Sequence, residues 1–100
     1  MNDDKDYIII QDNSDYFEYK WFMFRGSQNE MLKKLIDLVK QDAKDMEIEN
    51  MLYTVPNNID DVEYSASEKI WNIELPDPDH DMTYMYIAKA VEDITSLDKN

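Results

Sequence analysis

His80 is the single histidine of the chain, and it lies in the run Asp77-Pro78-Asp79-His80-Asp81. An imidazole among carboxylates could move protons or help to hold a cation. Each chemistry can be tested residue by residue. A calcium loop opening at Asp77 needs glycine at its sixth position and glutamate at its twelfth, and the chain has Met82 and Ala88 there. A Ser–His–Asp arrangement would have to use His80, and no serine stands in a Gly-x-Ser-x-Gly setting. The chain has no cysteine and one glycine, Gly26, which excludes thiolate metal sites, Cys–His catalysis, disulfides and phosphate-cradling glycine loops. His80 is therefore expected to be a solvated loop residue and its neighbouring acids to cap a helix. The expectation is no enzyme, no metal and no cofactor. Paired carboxylates of the glycosidase kind arise by chance among 23 acids, and 100 residues leave little room for a deep substrate cleft.

The acids carry a different signal. Against 10 bases they give a net charge of −13, and the stretch from Asp42 to Asp81 holds twelve acids and two bases, Lys44 and Lys69. Such a surface repels nucleic acid and anionic membrane and attracts the basic proteins that bind them. Alternate residues on a strand lie about 6.6 Å apart and helix neighbours about 5–6 Å, while duplex DNA presents one charge per about 3.4 Å of axis on each strand. Carboxylates on ordinary secondary structure can thus approximate a phosphate backbone. Asp42, Asp45 and Glu49 share a face if a helix extends that far, Asp60, Asp61, Glu63 and Glu68 continue the track, and Glu74, Asp77, Asp79 and Asp81 finish it. The candidate partner-binding residues are Asp60, Asp61, Glu63, Asp77, Asp79 and Asp81 as phosphate surrogates, with Tyr64 as a packing anchor. Tyr53, Tyr64 and Tyr86 fall in or near acidic segments, which suits a wet protein–protein surface, although packing roles are the simpler reading.

The elements that must position these residues follow from periodicity. Tyr7 to Ile10 reads as a short strand and Gln11 to Asp15 as a hairpin loop. Tyr16 to Arg25 reads as the longest strand. Phe17, Tyr19, Trp21 and Met23 line one face of it, and Glu18, Lys20, Phe22 and Phe24 the other, so its far half is apolar on both sides. Ser27 and Glu30 fit a capping box ahead of a helix whose apolar face is Met31, Leu32, Leu35, Ile36, Val39, Ala43 and Met46. Asn50 to Val55 predicts a strand, residues 57–68 a polar surface loop, and Lys69 to Leu75 a strand stopped by Pro76-Asp77-Pro78. Tyr84, Ile87, Ala88, Val91 and Ile94 predict a second helix. The order β-β-α-β-β-α gives the α+β class: a single antiparallel sheet of about four strands with two helices on one face.

The chain reads as one domain over residues 1–100, frayed at 1–6 and 96–100. Its hydrophobic content of 43%, with two Trp, three Phe and seven Tyr, is enough for a core. The acidic N-terminus and the short apolar run after it fit neither a signal peptide nor a membrane span, so the expected setting is the cytoplasm.

In size, charge and lack of chemistry the chain resembles the small acidic inhibitors of phages and mobile elements, which include DNA mimics, uracil-glycosylase inhibitors and anti-CRISPR proteins. No motif of those families is matched. The resemblance implies a non-enzymatic inhibitor whose acidic surface competes with nucleic acid for a basic groove on a nuclease or similar protein, in the host-cell cytoplasm if phage-encoded. It implies no direct contact with nucleic acid or membrane. Acidic immunity and antitoxin proteins resemble it on the same terms, and an acidic surface that serves only solubility is the plain alternative. A further route is a partner, or a homodimer, bound through the apolar face of residues 16–24, with Phe22 and Phe24 in contact.

Overall fold

The computed structural model describes residues 3–13 and 18–97. In chain order they form strands Lys5–Asn13 (β1) and Glu18–Gly26 (β2), helix Gln28–Asp45 (α1), strands Glu63–Ser65 (β3), Ile70–Asp77 (β4) and Met82–Ala90 (β5), and helix Val91–Leu97 (α2). Short 3-10 segments lie at Glu49–Thr54, Ile59–Asp61 and Pro78–His80. All pairings are antiparallel, in the order β2-β1-β5-β4-β3. The fold is α+β with a single antiparallel sheet, as expected, of five strands rather than about four.

β1 begins at Lys5, inside the span expected to fray, and runs through Gln11, Asp12 and Asn13, which had read as turn formers. Tyr16 and Phe17, expected to open β2, lie outside the described residues. Along β1 the side chains alternate: Tyr7 and Ile9 are buried under α1, while Ile8 and Ile10 are half-buried on the opposite face. The register places Phe24 beside Tyr7 and Phe22 beside Ile9, so both phenylalanines pack against the core. Both stay half-buried, so Phe22 and Phe24 divide their surface between the core and the contact expected of them. The exposed apolar side chains of β2 are Trp21 at 59% and Met23 at 52%.

α1 is held at its start by local chemistry. Ser27 Oγ accepts from the Glu30 N–H at 3.1 Å, and Glu30 Oε1 accepts from the Ser27 N–H at 3.1 Å. Its buried face is Met31, Leu32, Leu35, Ile36, Val39 and Ala43. Burying each large apolar side chain contributes about 1.5–3 kcal/mol. The helix ends in a Schellman motif, in which the Ile48 N–H reaches the Ala43 carbonyl at 2.8 Å and the Glu47 N–H the Lys44 carbonyl at 3.2 Å. Glu47 occupies the left-handed position (φ 59°) that glycine usually takes there.

Two expected elements change type. Residues 82–90, read as helical, are β5, which pairs with β1 on one side and β4 on the other. Tyr84, Tyr86, Ala88 and Ala90 are buried, while Met85 and Ile87 are half-buried on the opposite face. A strand with apolar residues on both faces satisfies a helical template as well, and the Tyr, Thr and Ile content then favours the sheet. Helix begins only at Val91. Asn50 to Val55, read as a strand, instead fall mostly in the 3-10 segment Glu49–Thr54, closed by the Thr54 hydroxyl donating to the Met51 carbonyl at 2.8 Å. β4 also continues through Pro76 to Asp77 instead of stopping at Leu75. The missing N–H of Pro76 is tolerated because β3 pairs β4 only from Ile70 to Asn72, which leaves that outer edge without a strand neighbour. Among the described residues no helix is long and apolar enough to cross a membrane.

Candidate functional site

The free outer edge of β4 is where the acids gather. Asn58 organises the approach: its side chain accepts from the Asp60 N–H at 3.0 Å and its carbonyl from the Asp61 N–H at 3.0 Å. This pins residues 59–61 in one turn whose carboxylates, Asp60 and Asp61, are exposed, while Val62 is buried and anchors the segment. β3 then lays Glu63 beside Asn72 and Tyr64 beside Trp71. The expected loop at 57–68 is therefore a turn followed by a strand. Its far end is closed by Ser65, whose hydroxyl accepts from the Glu68 N–H at 3.4 Å, with Lys69 in the left-handed region (φ 59°).

Between this segment and β4 lies a cleft of about 350 Å³ lined by Tyr53, Thr54, Val55, Pro56, Asp61, Glu63, Asn72, Ile73 and Glu74. The 3-10 segment 49–54 supplies one wall, packing against β4 and α1. Glu63 and Glu74 lie on one face of the β3–β4 pair, two residues out of register, a diagonal separation of about 7–8 Å. Tyr53 stands at the rim, 82% exposed, and the Asn72 Oδ1 is buried without a hydrogen-bond partner among the described residues. Tyr64 is 49% exposed, with its ring centroid 4.7 Å from that of Trp71. Three carboxylates, an amide and the accessible Tyr53 phenol can receive a cation or a guanidinium-bearing side chain, while Tyr64, on the face of β3 opposite Glu63, lies outside this cleft. Among the described residues, no group of three or more histidines, cysteines or acids is placed to hold a metal ion.

The second set of expected residues behaves differently. Asp77 is 1% exposed. Its Oδ2 lies 2.9 Å from His80 Nδ1 and accepts from the Tyr84 hydroxyl at 3.5 Å, and its Oδ1 has no partner among the described residues. A carboxylate so enclosed cannot reach a partner, which removes Asp77 from the candidate surface. His80 is exposed as expected, but its ring is tied to Asp77 and not left free in solvent. Asp79 and Asp81 are exposed in the turn between β4 and β5, with Asp81 in the left-handed region (φ 52°). They cap no helix, since residues 82–90 are a strand. Asp77 is three residues along β4 from Glu74, about 10 Å, and five from Asn72, about 17 Å, so the turn lies beyond one end of the cleft.

The third part of the expected track is also interrupted. α1 stops at Asp45, so Glu49 does not share its face with Asp42 and Asp45. Asp42 is half-buried, and its Oδ2 accepts from the Gln11 side chain at 2.5 Å and the Tyr86 hydroxyl at 3.0 Å, tying α1 to β1 and β5. Burial holds the Asp42 carboxyl above the usual aspartate range despite those donors. Burial, reinforced by the Asp42 charge, pushes the Tyr86 phenol far up.

The structure thus brings Asp61 and Glu63 together with Glu74, leaves Asp60 beside them, places Asp79 and Asp81 elsewhere and buries Asp77. The cleft wall Tyr53–Pro56 had no signal of its own in the sequence, because the same residues fit a strand pattern. No family model matches the chain, and comparison with curated proteins and with solved structures gives no match.

Proposed function

We propose that this chain is a non-enzymatic binding protein that competes with nucleic acid for a basic groove on a target such as a nuclease, using the acidic edge formed by β3 and β4. The observation that carries this reading is the cleft in which Asp61, Glu63 and Glu74 stand together beside the exposed ring of Tyr53. Carboxylates about 7–8 Å apart along a rigid strand pair can oppose a row of Lys and Arg side chains, and the Tyr53 ring supplies packing area. Asp60, on the same turn, extends the charge. Asp79 and Asp81 form a separate acidic point at the end of the sheet and belong to the contact only if the target spans both.

Recognition of this kind relies on long-range electrostatics, so association should be fast and steeply salt-dependent. The test is affinity capture from a cell lysate with the native chain and with the combined variant Asp61→Lys/Glu63→Lys/Glu74→Lys, washed at two salt concentrations. The expected result is a nucleic-acid-binding protein retained by the native chain, released by salt and by added DNA, and not retained by the variant. Equal capture by both chains would remove the acidic edge from the contact.

A further inference from the structure

β2 is the outer strand of the sheet, opposite the acidic edge, and one of its sides has no strand neighbour among the described residues. It pairs with β1 over nine consecutive residues without a bulge, and it contains no proline. Long, regular, apolar edges of this kind are templates for pairing with another strand, and proteins usually blunt them with charges, prolines or bulges. Here the centre of the edge is Trp21-Phe22-Met23-Phe24, with Trp21 and Met23 the exposed apolar side chains. β2 also differs in charge. With Glu18, Lys20 and Arg25 it carries one acid and two bases, in a chain whose net charge is −13. It is therefore an approach along which two copies of this molecule do not oppose their acids.

We propose that β2 pairs with β2 of a second copy, antiparallel about a two-fold axis at Phe22, to give a continuous ten-stranded sheet. The register follows from the side-chain pattern. An isologous antiparallel pair must place residues of the same face opposite one another. Centring on Phe22 sets Trp21 against Met23 of the second copy and Met23 against its Trp21, an aromatic–thioether contact made twice. Phe22 meets Phe22, and Lys20 lies opposite Phe24, so no like charges face each other. Shifting the axis to Trp21 would instead set Glu18 against Phe24 and Lys20 against Phe22. The two acidic edges then lie at the outer ends of the sheet, about 43 Å apart at the usual strand spacing. An interface one strand deep is smaller than the roughly 800 Å² per partner of a standard complex, so the dimer is expected to dissociate at micromolar concentrations.

The experiment is sedimentation velocity on the full chain from about 1 to about 500 µM. A reversible monomer–dimer equilibrium is expected. Met23→Lys puts a charge on an already exposed position and should raise the dissociation constant at least about thirtyfold, with an unchanged far-UV spectrum. Ile87→Ser, on the open sheet face but away from the edge, should leave dimerisation intact. Because the chain has no cysteine of its own, the double variant Trp21→Cys/Met23→Cys reports the register: oxidised dimers should link position 21 to position 23 of the second copy. The proposal is overturned by a chain that stays monomeric throughout, including one whose edge instead accepts another protein. It is equally overturned by a dimer indifferent to Met23→Lys, by one abolished by Ile87→Ser, or by links joining 21 to 21.

Discussion

The cleft at the β3–β4 edge and the turn at the end of β4 are both built from aspartate and glutamate, yet the two sets of carboxylates do opposite work. At the edge, Asp61, Glu63 and Glu74 line an open cleft. At the turn, Asp77 is folded inward, with His80 and Tyr84 around one of its oxygens. An exposed carboxylate contributes to the field that a partner meets. A buried one contributes to the geometry of its own chain, because its desolvation has to be offset by donors within the fold. Charge in a sequence is therefore not yet surface charge.

The contrast can be broken by substitution. Asp77→Ala removes a buried acceptor from His80 and Tyr84 and is expected to lower stability by about 2 kcal/mol, read from the urea midpoint at unchanged m-value. A loss below about 0.5 kcal/mol would place Asp77 with the ordinary surface acids. His80→Ala leaves the same carboxylate with one donor fewer and should cost about 1 kcal/mol in the same assay. Asp61→Lys, Glu63→Lys and Glu74→Lys, taken singly, should each stay within about 0.5 kcal/mol of the native chain, while together they remove the salt-sensitive binding. If the edge variants unfold the domain and Asp77→Ala does not, the roles of the two regions are reversed.

Asp42 lies between the extremes and sharpens the comparison through pH. Its native carboxyl titrates above the ordinary value of 3.8 because of burial, so the folded chain binds this proton more readily than the unfolded one. Stability from this group is thus greatest at low pH and is lost as pH rises from 3.8 through the raised native value. Glu30 has the opposite sign. Its hydrogen bonds with Ser27 hold it below 4.5, and that contribution is lost as pH falls. Asp42→Asn removes a contribution that grows as pH falls, and should therefore steepen the acid limb of a thermal-denaturation series. Glu30→Gln should change it in the other direction, by less, since Glu30 is on the open surface.

What was legible beforehand follows the same division between local and tertiary causes. The Ser27/Glu30 cap and the buried face of α1 depend on residues within a few positions of one another, and both match the sequence reading except at Met46, which is half-buried just past the helix end. β5 was not, because Met85 and Ile87 are half-covered on one side while Tyr84, Tyr86 and Ala88 are buried on the other. A central strand apolar on both faces has no clean period of two. Asp77 could not be told from Asp79 or Asp81 with the strand stopping at Leu75; once β4 continues through Pro76, alternation puts Asp77 on the buried face with Ile73 and Leu75. Glu74 was visible as part of the acidic track. Its place in a cleft required the wall at Tyr53–Pro56, which a strand reading had flattened.

The position of β1 between β2 and β5 reaches beyond the finished structure to the order in which the chain can be made. Its pairing with β2 and the docking of α1 involve neighbours in sequence, but Tyr7 to Asp12 also pair with Met85 to Ala90, residues nearly eighty positions later. Closing so long a loop is slow relative to local pairing. A nascent chain therefore holds one side of β1 open until residues 82–90 have left the ribosome. During that interval β1 shows a bare backbone edge together with Ile8 and Ile10, the kind of surface that makes an incomplete chain prone to aggregate.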